Sequence, residues 1–302
     1  MSTLDNLETE QPNPASRGID ARPTEEILRL MNAEDQKVAL AVEAEIPRIA
    51  RAVDLIVDRL SHGGRLFYLG AGTSGRLGAI DAAECPPTFR VPADLVQAVI
   101  AGGDKALRKS MEASEDDPKA GVSDLSARGF SSSDVLVGIA ASGRTPYVIG
   151  AVEWARRLGA ATIGITCNPG SPLVGLVDVA IIPLTGPEII AGSTRLKAGT
   201  AAKLVLNMLS TATMIRLGHV YGNLMVNVQP TNVKLKARAL RILRQAAGVS
   251  EEEANRLLEA SGGNVKVAIV MAHTGLSRDK AEQRLVEAKG RVSAALEEPR
   301  HG

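Results

Sequence analysis

Apolar positions along the chain follow two patterns. Between residues 24 and 61 they recur at helical spacing, through Ile27, Leu28, Leu30 and Met31, then Val38, Val42, Ile46, Ile49, Val53, Ile56 and Val57. Pro47 divides this stretch into two helices, and Thr24 with Glu26 close behind caps the first. Short apolar runs then appear at 65–69, 95–100, 134–140, 161–166 and 179–184. Runs of that length without polar alternation read as strands buried on both faces. Helical stretches at 74–84, 104–113, 146–158 and 196–217 alternate with them and follow them. This order predicts an α/β fold, a doubly wound parallel five-stranded sheet preceded by a helical N-terminal segment.

The ends of the chain differ in character. Residues 1–22 are polar and carry Pro12 and Pro14, which predicts a flexible leader. After Asn232 the pattern becomes wholly helical. Residues 233–247 form a basic amphipathic helix that Gly248 stops, Ser250 with Glu253 makes a capping box, and helical runs follow near 264–274 and 278–297. The expected organisation is a leader (1–22), an α/β domain with its N-terminal helices (23–232) and a small all-α C-terminal domain (233–302).

Composition narrows the setting. With 35 basic and 34 acidic residues the formal charge is +1, and no lysine- or arginine-rich run appears, which argues against nucleic acid or a membrane surface as partner. No apolar run reaches the length of a membrane span, and the N-terminus lacks a signal-peptide core. Cys85 and Cys167 show no metal or disulfide spacing, so a reducing cytoplasm is expected. The four histidines, 62, 219, 273 and 301, are scattered, and no metal site is expected.

The candidate chemistry sits at strand ends. Gly70-Ala71-Gly72-Thr73-Ser74-Gly75 follows the first strand and opens a helix, a means of building an anion site from backbone N–H groups. Its glycines spell G-x-G-x-x-G, but a dinucleotide site also expects a carboxylate at the end of the next strand, and that strand ends in Gly102-Gly103. Thr73 and Ser74 offer hydroxyls that suit a terminal phosphate. A second loop, Ser142-Gly143-Arg144-Thr145-Pro146, repeats the arrangement after the third strand. Either loop alone could be a plain turn; two in one sheet suggest a sugar-phosphate clasp.

Carboxylates supply the acid–base candidates. Glu84 lies ten residues after Ser74, about 15 Å along an unbroken helix, near the negative end of the helix dipole. It would therefore act at the far end of a bound sugar or in a neighbouring subunit's site. Glu115 lies among acidic neighbours after a predicted helix, and spacing does not single it out. The segment Pro187–Lys197 offers Glu188, Ser193 and Lys197 as further substrate contacts. The small-residue helix that follows permits close packing with a partner, and burial in a core explains it equally well.

Taken together, GAGTSGRLG, DAAECPPTF, EASEDD, GIAASGRTPYV, CNPGS, PEIIAGSTRLKAGTAAKLVLNMLST and YGNLMVNVQPTN resemble the N-acetylmuramic acid 6-phosphate etherases, a family of the sugar-isomerase (SIS) superfamily. The resemblance extends over residues 20–300 and implies a lyase of the cell-wall amino-sugar recycling route. It implies release of D-lactate from C3 of the sugar by C2 proton abstraction, elimination and water addition, without cofactor or metal. Glu84 of ECPP matches the family's proton donor and Glu115 of EASEDD its second catalytic residue, the base at C2. Gly72, Thr73, Ser74, Ser142, Gly143, Arg144 and Thr145 would hold the 6-phosphate or sugar hydroxyls. A homodimer is implied as well. Aldose–ketose isomerases of this fold also abstract a C2 proton but lack the two acidic blocks. A sugar-phosphate-sensing regulator is the non-enzymatic alternative.

Overall fold

The computed structural model describes residues 7–109, 111, 114–228, 230 and 232–297. The chain divides into two compact units, Met1–Ala83 with Asp94–Ser210, and Glu84–Ala93 with Thr211–Gly302.

In the first unit, helices α1 (Thr24–Glu43) and α2 (Ile46–Ser61) precede strand β1 (Leu66–Gly70). There follow α3 (Gly72–Phe89), β2 (Val96–Ile100), α4 (Pro118–Ala127), β3 (Val135–Ile139), α5 (Pro146–Arg157), β4 (Ala161–Ile165), the short α6 (Pro172–Leu176), β5 (Val179–Ile181) and α7 (Lys197–Arg216). All five strands are parallel, in the order β2-β1-β3-β4-β5, with Leu66 opposite both Val96 and Val135. The order reverses between β1 and β3, which opens a crevice at their carboxyl ends.

Strand alternation assigns the two faces. Phe67 and Leu69 of β1 enter a buried cluster with Leu125 of α4 and Tyr147, Val148 and Ala151 of α5. Tyr68 points the other way and donates to Asp81 of α3 at 2.9 Å. Asp81 also accepts from Asn207 at 2.7 Å and Ser210 at 3.1 Å, so one buried carboxylate ties α3 to α7. Burial pushes that carboxyl above its ordinary value despite its three donors.

Several sequence expectations are corrected. Of the leader expected at 1–22, residues 1–6 lie outside the described residues, and 7–22 carry three short 3-10 turns with Leu7 and Thr9 buried. Helix 104–113 is replaced by a single 3-10 turn, Gly103–Leu107; its positions 110, 112 and 113 lie outside the described residues. α4 occupies the gap instead. α3 runs on through Pro86 and Pro87 to Phe89, because proline's φ is itself helical even though each ring removes an N–H donor.

The second unit has its own apolar core. It contains α8 (Val233–Ala247), α9 (Glu251–Ala260), α10 (Val265–Thr274), α11 (Arg278–Glu287) and α12 (Val292–Leu296). Ser250 accepts from Glu253 N at 3.2 Å, as the capping box requires. The expected helix 278–297 breaks at Lys289 and Gly290, both at positive φ. The boundary expected at 232 falls at 210 instead, since Val226 and Val228 belong to this core and Asn227 donates to Phe89 O at 2.7 Å. Among the described residues no helix is long and apolar enough to cross a membrane, and both cysteines are buried.

Candidate active site

A cavity of about 350 Å³ opens at the carboxyl ends of β1, β3 and β4. Three chain segments from this sheet edge line it, together with the start of α7 and one residue of the N-terminal segment.

The first segment is Ala71–Ser74, where α3 begins two residues earlier than its pattern predicts. Gly72, Thr73 and Ser74 occupy the first turn, whose N–H groups have no acceptor within the helix. The second segment is Ala140–Ser142 with Thr145. Gly143 N donates to Ala140 O at 2.8 Å, and Gly143 sits at φ +65°. A Cβ there would lie 2.1 Å from Ser171 Oγ and 2.7 Å from Thr166 Oγ1, so only glycine fits this turn. Ala141 O is held by Cys167 N at 3.0 Å, Thr166 Oγ1 at 3.1 Å and Asn168 Nδ2 at 2.8 Å. Thr145 stands at the N-cap of α5 without using its hydroxyl as a cap, which leaves that hydroxyl to the cavity.

Glu115, just ahead of α4 in the chain, lines the same cavity. Its carbonyl accepts from Tyr147 N at 3.0 Å, in the first turn of α5. Asp117 caps α4 by accepting from Lys119 N at 2.8 Å. α4 and α5 approach closely because Gly121 and Gly150 lack side chains. A Cβ on either would come within 2.3 Å of a backbone oxygen of the facing helix, Tyr147 O or Pro118 O. The acidic cluster thus sorts itself: Asp117 starts a helix, Asp116 is exposed and Glu115 turns to the cavity.

Other candidates are not in the cavity wall. Glu188 is fully buried, and its carboxylate accepts from Lys197 N at 2.9 Å and Ala198 N at 3.0 Å, capping α7. Lys197 Nζ donates to Glu34 Oε2 at 2.7 Å inside the protein. Glu188 and Lys197, expected to contact substrate, are both buried and paired inside the protein, as burial of their charges demands. Ser193 closes a turn on Ile190 O at 3.0 Å, and its neighbour Thr194 lines the cavity instead. Arg144 does not line it either; its Nε is buried without a hydrogen-bond partner among the described residues. Glu84 is exposed, belongs to the second unit and is not among the lining residues.

Sequence reasoning missed Thr166, Cys167, Thr194 and Glu10, all of which line the cavity. Thr166 and Cys167 follow β4, so the strand-end rule that found the first two loops covers them as well. Burial pushes the Cys167 thiol up to about 12, which leaves it a neutral wall rather than a nucleophile. Glu10 carries no local signal. None of the described lining residues is lysine or arginine, and no group of three or more His, Cys, Asp or Glu suited to a metal occurs among the described residues.

Comparison with known proteins identifies relatives of this chain. Residues 48–156 match the glucokinase regulatory protein N-terminal SIS domain and residues 124–212 the SIS domain. N-acetylmuramic acid 6-phosphate etherase of Rhizobium rhizogenes is 53% identical over 296 residues, covering 98% of this chain and 96% of that protein. The Jannaschia sp. etherase is 56% identical over 269 residues (89% and 85%). That of Geobacillus thermodenitrificans is 52% identical over 294 residues (97% and 100%). Among solved structures, the phosphoheptose isomerase of Neisseria gonorrhoeae has a TM-score of 0.50 at 22% identity, covering 63% of this chain and 98% of that one, and it shares the fold.

Proposed function

The chain belongs to the N-acetylmuramic acid 6-phosphate etherase family, and we propose that its sheet-end cavity binds this phosphorylated amino sugar and cleaves the D-lactyl ether at C3. The enzyme breaks a carbon–oxygen bond, and its products are N-acetylglucosamine 6-phosphate and D-lactate. The observation that carries the reading is the meeting of Glu115 with Thr73, Ser74, Ser142 and Thr145 around one cavity. The first-turn N–H groups of α3 and the hydroxyls of Thr73, Ser74, Ser142 and Thr145 receive the phosphate. The volume, about 350 Å³, is at the small end of ligand sites and suits a single sugar.

An alkyl ether resists direct displacement, so the route runs through the open-chain aldehyde. Its carbonyl acidifies the C2 proton, which Glu115 removes as general base. The electron pair forms the C2–C3 double bond as the C3–O bond breaks, and Glu84 of a neighbouring subunit, since this chain's own Glu84 does not line the cavity, gives its proton to the departing lactyl oxygen. Water then adds at C3 while a proton returns to C2. One carboxyl must begin protonated and the other ionised. The reaction fits a cytoplasmic homodimer that recycles cell-wall amino sugars without an added cofactor.

Purified protein given N-acetylmuramic acid 6-phosphate should release D-lactate, read by a coupled lactate dehydrogenase. In deuterated water the amino-sugar product should carry deuterium at C2. Glu115→Gln should lower the rate by about 10²–10⁴-fold with the fold intact. No lactate from the wild type would sink the etherase reading, and lactate without deuterium would sink the elimination route. A ketose phosphate as product would assign an isomerase instead.

A further inference from the structure

The N-terminal segment builds part of the cavity. Gly192 N donates to Thr9 O at 3.0 Å, beside the loop that carries Thr194. Glu8 N donates to Asn168 Oδ1 at 3.2 Å, and Asn168 Nδ2 reaches both Thr9 Oγ1 at 3.4 Å and Ala141 O at 2.8 Å. One asparagine therefore ties the segment to the loop that bears Ser142. Further along, Asn13 Nδ2 donates to Pro187 O and to Glu34 Oε2, each at 3.1 Å.

Between these anchors Glu10 lines the cavity, half-buried. Its carboxylate lies against Gly192, where an added Cβ would meet Oε2 at 2.8 Å. No described residue donates a hydrogen bond to that carboxylate. A half-buried carboxylate facing a ligand-sized space is hydrated while the space is empty, and a ligand that displaces that water must bring hydrogen-bond donors of its own. A phosphate or lactyl carboxylate would bring like charge and no donor. Sugar hydroxyls and an acetamido N–H bring donors without charge.

We infer that Glu10 is a specificity-determining residue of the substrate site, accepting hydrogen bonds from hydroxyl or amide N–H donors of the bound amino sugar. The inference rests on the sugar-phosphate reading of this cavity. It divides the labour within the site: the loops after β1 and β3 hold the phosphate, and the N-terminal segment reads the sugar.

The test compares wild type, Glu10→Ala and Glu10→Asp with two ligands and the full substrate. N-acetylglucosamine 6-phosphate binding is measured by calorimetry, inorganic phosphate by competition against it, and unfolding temperature as a control. Glu10→Ala should weaken sugar-phosphate binding, and raise KM, by about 10- to 100-fold, the worth of a hydrogen bond to a charged group. Inorganic phosphate should bind unchanged or tighter, and Glu10→Asp should recover part of the loss. Sugar-phosphate affinity within twofold of wild type would overturn the inference. Parallel loss of sugar-phosphate and phosphate binding would also overturn it, since that marks a residue that only supports the loops. Failure of wild type to release lactate would refute the etherase reading separately, because the binding comparison does not depend on turnover.

Discussion

Replacing Lys197 with methionine removes one partner of a buried ion pair and keeps the apolar stem. In the wild type the Lys197 and Glu34 side chains are 2% and 6% exposed, and their charged atoms lie 2.7 Å apart. Burial alone would raise the Glu34 carboxyl, but donors from Lys197, Lys37 and Asn13 outweigh it and hold the group at about 2 rather than 4.5. That gap is worth about 3 kcal/mol of stability at neutral pH. A depressed folded-state value means the contribution is complete above the unfolded value near 4.5 and is lost as pH falls toward 2. In the variant the remaining donor with a charge, Lys37, is largely exposed, so burial dominates and Glu34 takes up a proton more readily. The variant should be less stable by about 3–5 kcal/mol at pH 7. At about 2–4 °C per kcal/mol, its unfolding temperature should drop by about 10 °C. Below pH 4.5 the penalty should shrink, because the wild type loses its advantage while the variant's carboxyl is already neutral. Denaturant unfolding of both proteins at pH 7.5 and pH 4 reads this directly. A penalty below about 1 kcal/mol, or one that does not change with pH, refutes the reasoning. An intact unfolding temperature with a raised KM would instead return Lys197 to the substrate.

Two further outcomes follow from the same site. Gly143→Ala forces a side chain into positive φ and against Ser171 and Thr166, so it should cost about 1–3 kcal/mol and lower kcat/KM at least tenfold by displacing Ser142 and Thr145; unchanged calorimetry and lactate release would contradict this. For the proposed homodimer, mixing inactive Glu84→Gln and Glu115→Gln proteins should restore about a quarter of the wild-type rate, since half the dimers would be mixed and each would hold one intact acid–base pair when the two residues come from different copies. No recovery after subunit exchange, verified by mass spectrometry, would assign both residues to one chain.

The strands and their loops are legible in the sequence because a parallel sheet buries each strand on both faces, which leaves continuous apolar runs ending in small polar loops. α4 is not legible. Only Gly121 and Leu125 of that helix are buried, so it shows no clear apolar stripe, and its glycine reads as a helix breaker. That glycine is required because α5 lies so close. Glu188 is obscure for a different reason. A helix cap is ordinarily sought at the residue just before the helix, whereas this one reaches back from nine residues upstream of Lys197. Lys197 and Glu34 are 163 positions apart, and no local pattern announces their pairing. Glu10 is hidden in a segment whose polarity and prolines imitate a solvated tail. Its order comes from Asn168 and Gly192, which the chain supplies far later.

The distribution of charge explains why these hidden residues matter. A substrate carrying a phosphate and a lactyl carboxylate would ordinarily be met by lysine or arginine, yet none lines the described cavity. Lys197, the cation nearest in sequence to its wall, is neutralised by Glu34, and Glu188 occupies the first amides of α7. In the proposed binding mode the phosphate is left to the helix start of α3 and to hydroxyls, whose strength depends on aim rather than on net charge. A lysine in this wall would pair with Glu115 and compete with the C2 proton for it. Under the proposed role of Glu115, keeping cations out would preserve the base but make binding sensitive to loop position. On the proposed reading, the glycine turn at 143, the Asn168 tether and the buried Lys197–Glu34 pair are therefore the means by which a cavity with no lysine or arginine among its described lining residues would hold an anionic sugar.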